Sequence, residues 1–451
     1  MKKNVYTADQ TLSICWFRRN LRIHDNIILS EAARNSNFLL PLYIIDPGQI
    51  TKNLLSVNRV GFLLESLDDL DKNLNARFGQ RLFITYGSPL EVIKAIILHI
   101  RGHIKFPGNI ILGFEKDYQP YEKVRDATIM QWGKASNIII QYGTTQTLWN
   151  LNNLGKLNDF KSPQSMNEFK ELIKKIADPV NDLPEPDFLP PPMKEFFEKN
   201  TLNSEIKHNF GVINFFDCSP SIEQLGMNYT KEDYLSCFRG GESTSLKKLN
   251  VFLRNVQNLK RFCKNVENPT KNNPLSSTQS PYLSLGCLSV RKFYHEIKKT
   301  ERFFVEESEE EGKKIIDNLM NTIYWREYFY MVGCYTTNFD RMFDNPVSKL
   351  TDCWDYNSKY ISAWKNGKTG YPAIDAVINQ LITDGWTHNY NRQFIACFLT
   401  KGTLWQSWEV GLNFFQKHLI DFDWSINTAC WIFLTNSNLN NDYTKVFKYN
   451  S

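Results

Sequence analysis

An α/β domain built on a doubly wound parallel sheet, followed by an all-α domain, is the architecture this chain predicts. Three observations lead there. Up to Ile140, short apolar runs alternate with amphipathic helical stretches, as in parallel strands joined by helices. Beyond Asp233 the apolar residues recur mainly at three- and four-residue spacing, a helix period. Between the two, PEPDFLPPP (184–192) suits neither a helix nor an inner strand. We therefore expect the α/β domain at 1–150, a connector at 151–233 and the helical domain at 234–451.

Taken in order, LSICWF (12–17) is a short buried strand and IILSEAAR has a helix pattern. FLLPLYII (38–45) is a second strand, ended by Asp46-Pro47-Gly48. Phe62, Leu63, Leu67 and Leu70 mark an amphipathic helix over 60–74. RLFITYG, EVIKAIILHI and NIILGF (109–114) continue the alternation. A helix beginning near Tyr121 leads to the strand at 137–140. No glycine-rich dinucleotide fingerprint follows the first strand, so the fold alone does not make this half a nucleotide site.

In the helical half, Ile374, Val377, Ile378, Leu381 and Ile382 lie on one face, and Gly385 and Gly402 break the pattern into three or four helices. Among these apolar positions stand His388, Asn389, Arg392, Asp421, Asp423 and Asn427, with Trp386, Trp405, Trp408, Trp424 and Trp431. Buried charge is costly unless paired, so Arg392 should meet Asp421 or Asp423. A polar pocket walled by tryptophans suits a large planar ligand with polar edges. The competing reading is core packing with a structural ion pair.

Composition narrows the function classes. The 451 residues carry 53 basic and 48 acidic side chains, a net +5, which argues against a generally basic nucleic-acid coat but leaves room for a basic cleft. Nine cysteines without a CxxC pair imply free thiols in a reducing compartment. Seven histidines form no HExxH or Cys/His cluster, so no metal site is expected. There is no signal-peptide pattern and no apolar run of about 18 residues. FFVEESEEEGKK (303–314) reads as a solvated acidic loop. In FRGGESTSL (238–246), the glycines permit close backbone approach and Arg239 could meet a phosphate; alternatively Glu242 or Ser243 caps a helix. Arg18, Arg19 and Arg22 read either as a surface loop with Asp25 capping the first helix, or as an interdomain contact.

GYPAIDAVINQL, GWTHNYNRQFIACFLT and DFDWSINTACW, together with WFRRNLRIHDN (16–26), TQTLW (145–149) and TIYWREYFY (322–330), resemble the cryptochrome/photolyase family. GTLWQSWEVGL is most similar to the insect light-sensing cryptochromes. The resemblance implies FAD as cofactor. LSSTQSPYLSLGCLSVRKFY (275–294) is similar to the diphosphate loop, with Ser277, Thr278, Gln279 and Ser280 at flavin-contacting positions. Trp325 and Arg326 carry over, whereas Thr322 replaces the glutamine or glutamate often found there. By the same resemblance Asn389, Arg392, Asp421, Phe422 and Asp423 contact flavin, and Asn427 faces its N5. Trp431, Trp408 and Trp354 match the electron-transfer chain, and Trp405 the fourth tryptophan of animal members.

The function so implied is a blue-light photoreceptor in circadian or light signalling, working by flavin photoreduction. A DNA photolyase acting on pyrimidine dimers and a light-independent transcriptional repressor are the alternatives. Photolyases of the (6-4) type use two proton-transferring histidines where this chain has Asn389 and Gln393, whereas His388-Asn389 resembles cyclobutane photolyases. The resemblance further implies clock or light-signalling proteins and DNA as partners, a location in cytoplasm and nucleus, and an antenna chromophore (folate or deazaflavin) that the sequence does not place. Family members usually continue well past the position of Trp431; residues 436–451 read as a divergent or truncated ending.

Overall fold

Five strands form the parallel sheet that the alternation predicts, and a sixth joins its edge. The computed structural model describes residues 6–50, 55–193, 196, 214–216, 219–227, 229–255, 257, 259–260, 277–300, 309–351 and 353–435. The first half runs β1 (Thr11–Phe17), α1 (Ile27–Asn35), β2 (Phe38–Ile45), α2 (Val57–Phe78), β3 (Phe83–Tyr86), α3 (Pro89–Gly102), β4 (Asn109–Glu115), α4 (Pro120–Ala135) and β5 (Ile139–Gly143). β1 and β2 are almost wholly buried, as their largely apolar sequences require of strands covered on both faces.

Residues 151–233, expected as a connector, contribute α5 (Leu151–Leu157), α6 (Met166–Ile173) and β6 (Asn214–Phe216). The sheet order is β5-β4-β1-β2-β3-β6, with β6 alone antiparallel. Three residues are too few to show a strand period, so β6 was not legible. The chain reverses direction across the sheet between β1 and β4, and the crevice beyond their carboxyl ends is the topological switch point.

The second half comprises α7 (Glu242–Arg254), α8 (Ser280–Leu285), α9 (Val290–Thr300), α10 (Glu309–Tyr335), α11 (Ser358–Lys365), α12 (Pro372–Asp384), α13 (Asn389–Cys397), α14 (Trp408–His418) and α15 (Trp424–Leu434). A π turn, Phe398–Gly402, follows α13 where Gly402 suggested a simple break. The expected acidic loop begins a helix instead: α10 starts at Glu309, and 303–308 lie outside the described residues. So do Leu275 and Ser276 and the 436–451 ending. One hydrophobic cluster joins α1 and α2 to α7 and α9 across the two halves, a second fills the space between α10 and α15, and a third covers the other face of the sheet. Among the described residues no helix is long and apolar enough to cross a membrane, and no metal-ligand cluster occurs.

The segment after β1 lies at the switch point and locks the halves together. Asp25 does not cap α1; Asn26 does, accepting from Leu29 N–H. Asp25 is instead buried against Arg291 of α9, whose Nε donates to it at 3.0 Å. Arg22 donates to the Gly286 carbonyl at 2.8 Å. Glu242 likewise does not cap α7: it accepts the backbone N–H of Ile23 (2.9 Å) and His24 (3.0 Å) and bonds the His24 ring. Arg22, like Arg19, which donates to the Ser284 carbonyl at 2.9 Å, therefore takes the interdomain reading, whereas Arg18 is buried within the α/β domain, paired with Asp126 of α4.

Candidate functional site

A cavity of about 570 Å³ opens between α8, α10, α13 and α15. One wall is the turn of Ser277, Thr278 and Gln279 leading into Ser280; a second is Thr322, Trp325 and Arg326 on α10; the third and fourth carry Trp386, His388, Asn389, Arg392 and Gln393, and Asp421, Asp423, Asn427, Cys430 and Trp431. Segments far apart in sequence thus converge on one space, in the helical half as expected.

Arg392 and Asp421 form the predicted pair. The guanidinium donates to both carboxylate oxygens, at 3.0 and 2.8 Å, while its Nε donates to the Thr387 carbonyl at 2.9 Å. This two-pronged geometry is the strong form of the interaction. Ser280 Oγ donates to the same Asp421 at 2.7 Å, tying the Ser277–Ser280 turn to the opposite wall.

Asp423 has a different task. Its carboxylate caps α15 through the N–H groups of Ser425 and Ile426, and pairs with Arg19 and the Tyr330 hydroxyl. Burial pushes this carboxyl up, but Arg19 and Arg326, with the Tyr330 hydrogen bond, outweigh it and hold it below its ordinary value. Next to Arg326, Glu327 is fully buried; burial pushes it up to about 7 against the opposing Arg326. Glu327 also accepts from Leu148 N–H at 2.7 Å, joining the TQTLW stretch to α10.

Two predicted residues lie elsewhere. Arg239 stands off the cavity wall, stacked 5.2 Å from Tyr234 and paired with Glu65 at 3.2 Å, with its side chain 59% exposed. The close approach at Gly240 is to α2, where a Cβ would fall 2.4 Å from the Phe62 carbonyl oxygen. Phe422 turns its ring toward Arg59 (5.5 Å) and accepts from Ser284 Oγ through its carbonyl at 2.8 Å. Cys430 was missed, although it stands three positions from Asn427 on α15 and shares its face.

Trp431, Trp408 and Trp354 belong to one hydrophobic cluster. Trp431 lines the cavity and Trp408, on the first turn of α14, is wholly buried. Trp354 and Trp405 are in ring contact, centroids 6.4 Å apart at 40°, and Trp405 is 45% exposed. Its backbone is left-handed (φ 53), pinned by bonds to Thr400 (2.8 Å) and Asp355 (2.7 Å). Gly411 allows α14 to press on Trp431: a Cβ there would lie 2.1 Å from the indole. Gly411→Ala should therefore cost about 1–3 kcal/mol through overpacking, read as a lower urea midpoint with unchanged slope; an unchanged midpoint would mean the two helices part freely.

The polar wall fits a flavin nucleotide. Gln279 Nε2, Trp386 Nε1 and Trp431 Nε1 are buried donors without a protein partner, and all three residues face the cavity. Such donors cost about 1–3 kcal/mol each when unmet, and a ligand rich in ring nitrogens, carbonyls and phosphate oxygens would meet them.

Comparison with known proteins agrees. Residues 13–187 match the family model described as DNA photolyase, and 319–450 match the one described as the FAD binding domain of DNA photolyase. Cryptochrome-2 of Gallus gallus is 34% identical over 436 residues, covering 94% of this chain and 68% of the relative. This chain belongs to the cryptochrome/photolyase family. The (6-4)DNA photolyase of Arabidopsis thaliana is 31% identical over 445 residues, covering 96% of this chain and 75% of the relative. Family membership alone therefore does not choose between receptor and repair enzyme, nor do these relatives carry a particular closeness to insect cryptochromes. The fold is shared with a Synechocystis cryptochrome (TM-score 0.77, 23% identity, covering 98% of this chain and 85% of that one). It is shared too with a class III photolyase of Agrobacterium tumefaciens (TM-score 0.76, 22% identity, 97% and 82%). The helical half is an FAD-binding domain, and FAD is the cofactor its donors fit.

Proposed function

We propose that this family member is a blue-light photoreceptor, in which Ser277–Ser280, Arg392, Asp421 and Asp423 would hold FAD and a series of tryptophans would supply it with an electron. Bound FAD supplies a ring that absorbs blue light and accepts an electron. In this reading Trp431, on the cavity wall, gives that electron, Trp408 refills it, and Trp354 and Trp405 carry the deficit outward. The observation that carries this reading is the aromatic series from a cavity-lining indole to a half-exposed one, with the Trp354–Trp405 contact at its outer end. The charge left in the cavity then biases a neighbouring segment between two arrangements. Clock or light-signalling proteins in cytoplasm and nucleus are the partners we assign to that segment, with DNA as a further one. A folate or deazaflavin antenna in the α/β domain belongs to the same proposal.

Purified protein should show flavin bands in the blue and bleach under blue light with a reductant present. Protein that stays colourless after soaking in FAD would end this reading.

Repair of a cyclobutane dimer is the second reading, favoured by His388 on the cavity wall and by Trp325, 37% exposed, among the same lining residues. Repair of (6-4) lesions has no such support: Asn389 and Gln393 line the cavity, and neither carboxamide is a useful proton donor. Incubation of reduced protein with a (6-4) lesion oligonucleotide under blue light should leave the lesion intact. Restored thymines would show that another group supplies the proton.

A further inference from the structure

The segment after β1 reaches further than domain docking requires. Arg19 Nε donates to the Ser284 carbonyl at 2.9 Å, and its Nη2 pairs with Asp423 Oδ2, which also accepts from the Tyr330 hydroxyl. The other oxygen of Asp423 accepts from Ser425 N–H (3.1 Å) and Ile426 N–H (3.2 Å). With its carboxylate held on both sides, Asp423 donates its own backbone N–H to Asn427 Oδ1 at 2.8 Å. A backbone N–H can only donate, so the carboxamide atom facing it must be the oxygen. The Nδ2 end is then the one left to the cavity that Asn427 lines. Neither Arg19 nor Tyr330 lines that cavity.

We infer that Arg19 is a positioning residue for the cofactor: acting from the α/β domain through Asp423, it fixes Asn427 as a hydrogen-bond donor toward the FAD ring. This rests on the cavity being the FAD site. A preorganised N–H dipole interacts most with charge that develops after binding, so a donor held against the ring favours its reduced form. Without Arg19, Asp423 keeps the Tyr330 hydroxyl, the cap and the charge of Arg326, but loses the cation hydrogen-bonded to it. The Asp423 N–H then loosens, and the carboxamide is free to turn its oxygen to the ring, which opposes reduction. Loss of one donor to a charged group corresponds to roughly tenfold in the reduction equilibrium.

The test is a redox titration of the FAD-loaded wild type, Arg19→Gln, Asn427→Ala and the double variant. Each single change should make bound FAD harder to reduce, by roughly tenfold, and Arg19→Gln should add nothing in the Asn427→Ala background. An equal shift in both backgrounds would mean that the guanidinium acts by its charge through space, and no shift would mean that it is only a domain contact; either overturns the inference. Tyr330→Phe removes a hydrogen bond from the same Asp423 oxygen with little change of volume, and should shift the equilibrium in the same direction. Amide exchange across residues 421–427 of the FAD-free protein separates this inference from the FAD reading itself. The Asp423 and Asn427 N–H groups should exchange faster in Arg19→Gln than in wild type whether or not flavin binds, and unchanged exchange overturns the inference.

Discussion

Trp408→Phe should nearly abolish flavin photoreduction while leaving FAD bound. Trp408 is wholly buried, off the cavity wall on the helix that contributes Phe415 to it, and packed within the cluster that includes Trp431 and Phe415. Phenylalanine keeps most of its volume, so stability should fall by only about 1 kcal/mol. Phenyl is far harder to oxidise than indole. An electron lost by Trp431 then cannot be replaced from Trp354, and it returns from the ring before the charge separates. Trp405→Phe should act more mildly: the inner transfers proceed, but the deficit stops at Trp354 and the separated state is shorter-lived. Transient absorption after a blue flash distinguishes the two. Normal photoreduction in Trp408→Phe with full FAD occupancy would mean that these indoles are packing and the relay runs elsewhere.

Asp421→Asn should release FAD. The substitution keeps the shape but removes the charge that answers Arg392, whose side chain is 15% exposed while that of Asp421 is 2% exposed. Breaking a buried pair on one side costs about 3–5 kcal/mol; the partial exposure of Arg392 places this case at about 3 kcal/mol. Ser280 loses its carboxylate acceptor at the same time, so the turn over the cavity loosens with it. About 1.4 kcal/mol is tenfold, so retention should fall by roughly a hundredfold if most of the loss falls on the bound state. Equilibrium dialysis against free FAD measures this, and undiminished retention would show that the pair serves the scaffold alone.

The sequence carried the parts of the site that repeat with a period or sit in one contiguous run. Arg392 and Asn389 share a helix face, and Asp421 lies just before α15, so helix periodicity and the need to pair buried charge brought them together. Arg19 and Asp423 are 404 positions apart, and no local pattern connects them. Phe422 shows the limit within a single run: both neighbours face the cavity, yet its own ring turns to Arg59. Adjacent capping residues were equally ambiguous. Asp25 and Asn26 both suit a helix start, and only the distant Arg291 decides that Asp25 is needed elsewhere. Arg239 looked like a phosphate ligand because arginine beside glycines suits one, whereas Glu65 on α2 claims it.

The antiparallel strand β6 has a consequence for how the chain is made. β3 is a four-residue strand that pairs with β2 on one side and with β6 on the other. β6 leaves the ribosome only after β4, β5, α5 and α6. Until then the outer edge of β3 presents unpaired N–H and C=O groups, a template for another nascent chain. Fragments that stop after β5 should therefore aggregate more readily than fragments that run past Phe216, even though both contain all five parallel strands.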